Sequence, residues 1–163
     1  MSVQLLPVLS SDKDELDLPI YVIEQSGTLT QMVSDLGIDL TSTQKMERIE
    51  LEKCDTYSLK KTIEFCKFYD SHPQLPDDST DDLKKIREES VKTFNARFVE
   101  DVQEYNFVLI LVADFLEIPK MFTLLCDDVA DSMRGKTVEE LREKFDIVDD
   151  FTAEDHKFVS SLK

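Results

Sequence analysis

The sequence predicts an α/β fold, with short strands in its first third and helices through the rest, arranged as one compact domain with an appendage. Three observations carry that expectation. Two short apolar segments, Val3–Leu9 and Leu16–Leu18, flank the polar cluster Ser10-Ser-Asp-Lys-Asp14 as the arms of a hairpin flank its turn. From Leu59 onward, apolar residues recur at helical spacing. At 163 residues with 41% hydrophobic positions, the chain can bury one ordinary core and is short for two full domains.

Between the hairpin and the first long helix the signals are brief. Val22, Ile23, Leu29, Met32, Val33 and Leu36 mix helical spacings, with a break at Ser26-Gly27 and a stop at Gly37, which gives two short helices. Arg48-Ile-Glu-Leu51 alternates charged and apolar positions as a short strand does. Leu59, Ile63 and Cys66 then stand at i, i+4 and i+7, an amphipathic helix with its stripe inward. Residues 71–92, with Pro73, Pro76 and the run Asp77-Asp78-Ser-Thr-Asp81-Asp82, hold few large apolar side chains and predict a solvated, mobile loop.

Two stronger helical segments follow. Val102–Ile118 carries the near-continuous apolar run Phe107–Ala113 and predicts a helix buried on most sides. Met121–Arg134 places Phe122, Cys126, Val129 and Met133 on one face. Gly135 is a helix stop, and Thr137-Val-Glu-Glu140 is a capping box in which hydroxyl and carboxylate each serve the other's backbone amide. Thr152-Ala-Glu-Asp155 is a weaker copy with a shorter acid. Such short helices cannot bury themselves, which raises the question of what they are for.

Charge excludes several function classes. Acidic residues outnumber basic ones by 35 to 19, a formal charge of -16 that repels phosphate backbones and anionic lipid, so neither nucleic acid nor a membrane surface is an expected partner. The apolar run is followed by Asp114 and Glu117 and is too short to span a bilayer. The first seven residues lack a charged n-region and a cleavage site, so no secretory signal is expected. Cys54, Cys66 and Cys126, odd in number and widely spaced, fit reduced thiols of a cytoplasmic and nuclear protein.

No catalytic constellation emerges. His72 and His156 have no Cys or His at metal-ligand spacing and are expected on the solvated surface. Cys66 and Cys126 fall on apolar helix faces, where a thiol is an inert small hydrophobe. With 3 glycines there is no phosphate-cradling loop, and Asp77, Asp78, Asp81 and Asp82 lack the spacing of a calcium loop. No cofactor, no metal and no enzymatic activity are expected.

The stretch 106–151, NFVLILVADFLEIPKMFTLLCDDVADSMRGKTVEELREKFDIVDDF, closely resembles the S-phase kinase-associated adaptor family, the linker between cullin scaffolds and F-box proteins in SCF ubiquitin ligases. The likeness rests on the LILVADFLEI helix, Cys126-x-x-Val129-Ala130, Gly135-Lys136-Thr137, Glu139-Glu140 and Phe145-x-Ile147-x-x-Asp150-Phe151-Thr152. It extends more weakly over most of the chain. The resemblance implies a BTB/POZ fold, a small β-sheet with packed helices, over residues 1–133, including the acidic loop at about 71–92. Residues 134–163 are then C-terminal helices that clasp an F-box. It also implies F-box binding through Ile110, Phe122, Cys126, Val129, Met133, Val138, Leu141 and Phe145, and cullin binding through Asp114 and Phe115.

This sequence departs from the family at several of those positions. Where the family has asparagine then tyrosine toward the cullin, the chain has Asp114 and Phe115; where the family has an apolar residue at its interface, it has Asn106. The family's tail carries a tryptophan-containing segment, and this chain has 0 tryptophans. The resemblance implies a diverged, non-catalytic adaptor. The rival expectation is a cullin-independent BTB scaffold, a homodimer or homo-oligomer that pairs the same apolar surface with a copy of itself.

Overall fold

In the computed structural model, which describes residues 5–40 and 48–162, β1 (Leu5–Ser10) is the centre of a three-stranded sheet. It pairs antiparallel with β2 (Glu15–Pro19), setting Val8 against Leu16, and parallel with β3 (Ile49–Leu51), setting Val8 against Ile49. The expected hairpin and short third strand are both present; Val3 lies outside the described residues. Leu6, Val8 and Ser10 point to the buried face in strict alternation, as the pleat requires. Pro7 has no amide to donate, and the parallel ladder begins only at Val8, so it costs that ladder no bond.

The hairpin turn is tied to the next layer by hydroxyls. Ser10 Oγ donates to Asp12 Oδ1 at 2.5 Å, and Asp12 Oδ1 also accepts from the amide of Thr56 at 3.0 Å. The Ser10 hydroxyl, followed by that of Thr56, holds the Asp12 carboxyl below the usual carboxylate range. Thr56 opens α3 (Thr56–Ser71), capped by Asp55, whose carboxylate accepts from the amide of Ser58 at 2.7 Å. Leu59 and Cys66 are fully buried with Phe65, and Ile63 packs on the core's edge.

Ahead of β3, α1 (Ile20–Gln25) and α2 (Gly27–Asp35) meet at Ser26, where the sequence breaks its helical pattern. The stop at Gly37 is real: with φ +62, its amide bonds Ser34 O and that of Ile38 bonds Val33 O, the paired closure that a left-handed residue permits.

The solvated loop expected at 71–92 is instead helical from Asp81 onward. α4 (Asp81–Asp101) is capped by Thr80, with Asp81 and Asp82 in the first turn, where the helix dipole favours acids. Scarcity of apolar side chains marks a solvated segment, and a solvated segment can still be helical. Lys, Arg and Glu are good helix formers, and two buried phenylalanines suffice as anchors. Phe94 and Phe98 reach the aromatic cluster of α3, with Phe94 stacked on Phe68 at 3.8 Å between centroids and Phe98 5.3 Å from Phe65. His72, expected on the solvated surface, is half-buried and stacks on Phe68 at 4.1 Å.

The helix expected over Val102–Ile118 is shorter and less covered. Val102 ends α4, a 3-10 turn spans Gln103–Tyr105, and α5 runs Asn106–Phe115. Only one side of α5 is buried, through Asn106, Leu109, Val112 and Ala113. Then come α6 (Pro119–Met133), α7 (Val138–Lys144) and α8 (Ala153–Ser160), with Pro119 at the first position of its helix, where a missing amide costs nothing.

The chain divides into two compact units, Met1–Asp128 and Val129–Lys163, with the division inside α6. The hydrophobic core lies in the first unit. Burial there pushes the Cys54 and Cys66 thiols up to about 12, so neither is a thiolate at neutral pH.

Candidate partner-binding surfaces

The end of α5 is fixed first, because it aims the rest of that helix. Glu117, at φ +51, lets the amide of Ile118 bond Ala113 O at 2.9 Å and its own amide bond Asp114 O at 3.0 Å. The next carbonyls are taken by the start of α2. The Ser26 hydroxyl donates to Leu116 O, Thr28 Oγ1 donates to Phe115 O at 2.6 Å, and the amide of Gly27 donates to Glu117 O at 3.1 Å. Ser26 Oγ also accepts from the amide of Leu29 at 3.1 Å, so one buried hydroxyl caps α2 and anchors α5. A carboxyl helix end docked on an amino helix end also pairs opposite dipole poles.

With its inner side committed, α5 sends the remaining apolar residues outward. Phe107 is 57% exposed and Leu111 69%, with Val108 exposed beside them, whereas Ile110 is half-buried against the core. From sequence, the helix carrying this run is expected to be buried on most sides. The signal that could have sorted it is Asp114, three residues after Leu111 and seven after Phe107: a charge at that spacing marks the solvent side.

α6 repeats the pattern. Its buried side is Met121 and Leu125, and the stripe singled out in the sequence is the adjoining one: within the first unit, Phe122 is 37% exposed and Cys126 half-buried. In the second unit, Val129, Leu141 and Phe145 are half-buried, and Met133 and Val138 are exposed. Exposed side chains that sequence reasoning passed over there include Val148, Phe158 and Leu162.

The second unit is organised by hydrogen bonds. Both capping boxes are formed: Thr137 with Glu140, and Thr152 with Asp155. The Thr152 hydroxyl, then its amide, hold the Asp155 carboxyl below the usual range. Asp149 joins the helices, its Oδ2 lying 2.7 Å from Arg142 Nη1 and 3.0 Å from His156 Nε2, while Phe151 sits beneath the Arg142 guanidinium at 5.2 Å. Lys144 Nζ donates to Ser132 O at 3.3 Å, tying α7 to the end of α6.

Asp114 and Phe115, the residues expected to face a cullin, differ in role. The Asp114 side chain is exposed, whereas Phe115 packs on the core and carries the Lys53 ammonium 5.2 Å from its ring centroid. Asn106 is the odd member of the region, 5% exposed, with Nδ2 donating to Asp128 Oδ2 at 2.9 Å and Oδ1 without a partner. A buried acceptor in that state costs about 1–3 kcal/mol.

A three-stranded mixed sheet under helices, followed by a small unit rich in exposed apolar side chains, defines a binding module. Comparison with known proteins gives its lineage. Residues 4–71 match the Skp1 family, tetramerisation domain, and residues 119–159 match the Skp1 family, dimerisation domain. Similar proteins include SKP1-like protein 12 of Arabidopsis thaliana, 34% identical over 98% of this chain and 94% of its own length. A Skp1-related protein of Caenorhabditis elegans is 32% identical over 93% and 85%. The E3 ubiquitin ligase complex SCF subunit sconC of Arthroderma otae is 32% identical over 92% and 87%. The chain belongs to the Skp1 family, and its first domain has the BTB/POZ fold.

Proposed function

We propose that the chain is the adaptor subunit of an SCF-type cullin-RING E3 ubiquitin ligase, linking F-box substrate receptors to a cullin for protein ubiquitination. The observation that carries this reading is the exposure of Phe107, Leu111 and Phe122 on helices whose other sides fill the core. The folded chain leaves wet an apolar surface of the kind that a partner helix covers. The C-terminal helices offer further apolar side chains for the same purpose. Asp114 and Phe115 are the proposed cullin contacts, and the exposed acid there calls for a basic residue on the cullin. The work is positional, and ubiquitin transfer belongs to other subunits. Three free cysteines support residence in the cytoplasm and nucleus.

Titration of an F-box protein tests the proposal. Phe122→Ala removes a central aromatic anchor and weakens binding by about 2–4 kcal/mol while leaving the melting temperature nearly unchanged. Unaltered affinity in that variant would sink the assignment. A second reading is a cullin-independent homo-oligomeric scaffold, for which the words tetramerisation and dimerisation in the descriptions of the matched domains give support as to assembly alone. Sedimentation separates the two, because an adaptor alone is monomeric or dissociates on dilution and a scaffold stays assembled.

A further inference from the structure

Asn106 opens α5 immediately before the exposed Phe107 and Val108, and its amide is held by a bond whose direction is certain. The Asp128 carboxylate can only accept, so the nitrogen of the amide faces it and the oxygen is the atom left over. Asp128 is half-buried and has lone pairs to spare beyond the one that takes Nδ2. The pair therefore keeps two kinds of spare acceptor, the charged carboxylate and the neutral Oδ1, beside the one remaining N–H of Nδ2.

We infer that the Asn106–Asp128 pair selects F-box partners carrying a lysine or arginine at the helix position that packs beside Phe107, an inference resting on the reading of α5 and α6 as the F-box surface. An ammonium or guanidinium has several hydrogens and can bond Asp128 and Asn106 Oδ1 together. Oδ1 lies beneath the surface in the free chain, so its bond to the cation requires a turn about the asparagine torsions, whereas Asp128, half-buried, is the first contact. A net charge of -16 draws such a partner in. An F-box helix with a leucine at that position leaves the charge of Asp128 uncompensated, with only the Asn106 amide as its partner, and one with a glutamate opposes it.

The test is a lysine, alanine and glutamate scan along the helices of one F-box domain, titrated against the full chain, Asp128→Asn and Asn106→Leu. One position is expected at which lysine binds about tenfold more tightly than alanine, and glutamate more weakly than either. Asp128→Asn can keep a bond to Asn106 and loses the charge, so this preference should fall to within twofold. Asn106→Leu should reduce the preference and raise the melting temperature, an outcome that a purely structural asparagine would not give. Equal binding of the lysine, alanine and glutamate domains at every position overturns the inference and leaves the adaptor reading standing, as does a lysine preference that survives in Asp128→Asn. Absence of binding to any F-box domain overturns both.

Discussion

Between Leu6 and Leu125 the chain buries whole side chains such as Phe65, Phe98, Leu109 and Met121, whereas between Val129 and Leu162 none of the described residues is buried. The helices of the first unit are held by packing on one shared core. The helices of the second have two complete capping boxes, an Asp149-centred tie and a lysine-to-carbonyl bond, and apolar side chains left in water. Local hydrogen bonds can set the shape of a short helix, but they contribute about 1 kcal/mol each and cannot replace a core. A unit shaped in this way is preorganised and incomplete, which is what an adaptor's receiving surface requires.

The largest expected effect separates the units by burial. Phe65→Ala opens a cavity among Phe94, Phe98 and Tyr69 and should lower global stability by about 3–5 kcal/mol in denaturant titration. Val138→Ala, at an exposed position in the second unit, should change it by less than about 0.5 kcal/mol. A large loss from the second substitution would mean that the C-terminal helices support the fold.

A smaller effect is expected at the joint that aims α5. Ser26→Ala removes the cap of α2 and one donor to Leu116 O together, at a cost of about 1–2 kcal/mol in thermal unfolding. Replacement by threonine keeps the hydroxyl and should recover most of the loss.

Acid should act on the second unit before the first. Asp155 is held below its ordinary value, so its contribution is present above the unfolded aspartate value of about 3.9 and is lost as pH falls through the depressed folded one. Asp12 and Asp101 are depressed as well, by the hydroxyls of Ser10 and Thr56 and by Lys61 respectively, but they supplement a core. Below about pH 4, amide signals of Ala153–Ser160 should therefore shift toward random coil while those of β1 and α3 hold. Loss of both together would show that α8 has no independent melting.

How much of this was legible depends on whether the signal was local. The hairpin, the caps at Thr137 and Thr152, and the stops at Gly37 and Gly135 announce themselves, because each is chemistry within a few residues. The stop at Glu117 did not, since an acid in the left-handed region gives no hint in sequence, and Asp146 at φ +52 ends α7 in the same silent way. α4 was missed because its anchors, Phe94 and Phe98, lie beyond the acidic run that was read as a loop. The exposed side of α5 was missed because seven consecutive apolar residues, Phe107–Ala113, erase the contrast that reveals a helix face. The stripe of Phe122, Cys126, Val129 and Met133 is visible in the sequence as a stripe, but it is the tertiary fold that turns Met121 and Leu125 to the core.

The most direct test of the proposed role is amide hydrogen exchange of the full chain, alone and saturated with an F-box domain. Free, the amides of α7 and α8 should exchange through local opening, at least tenfold faster than those of α3 and the sheet, which exchange only through global opening. Bound, the amides of α5, α6 and the C-terminal helices should slow by at least tenfold, and those of α1 and β2 should not change. Strong protection of α7 and α8 in the free chain, or no change in them on binding, would contradict the account of the second unit as a surface awaiting its partner.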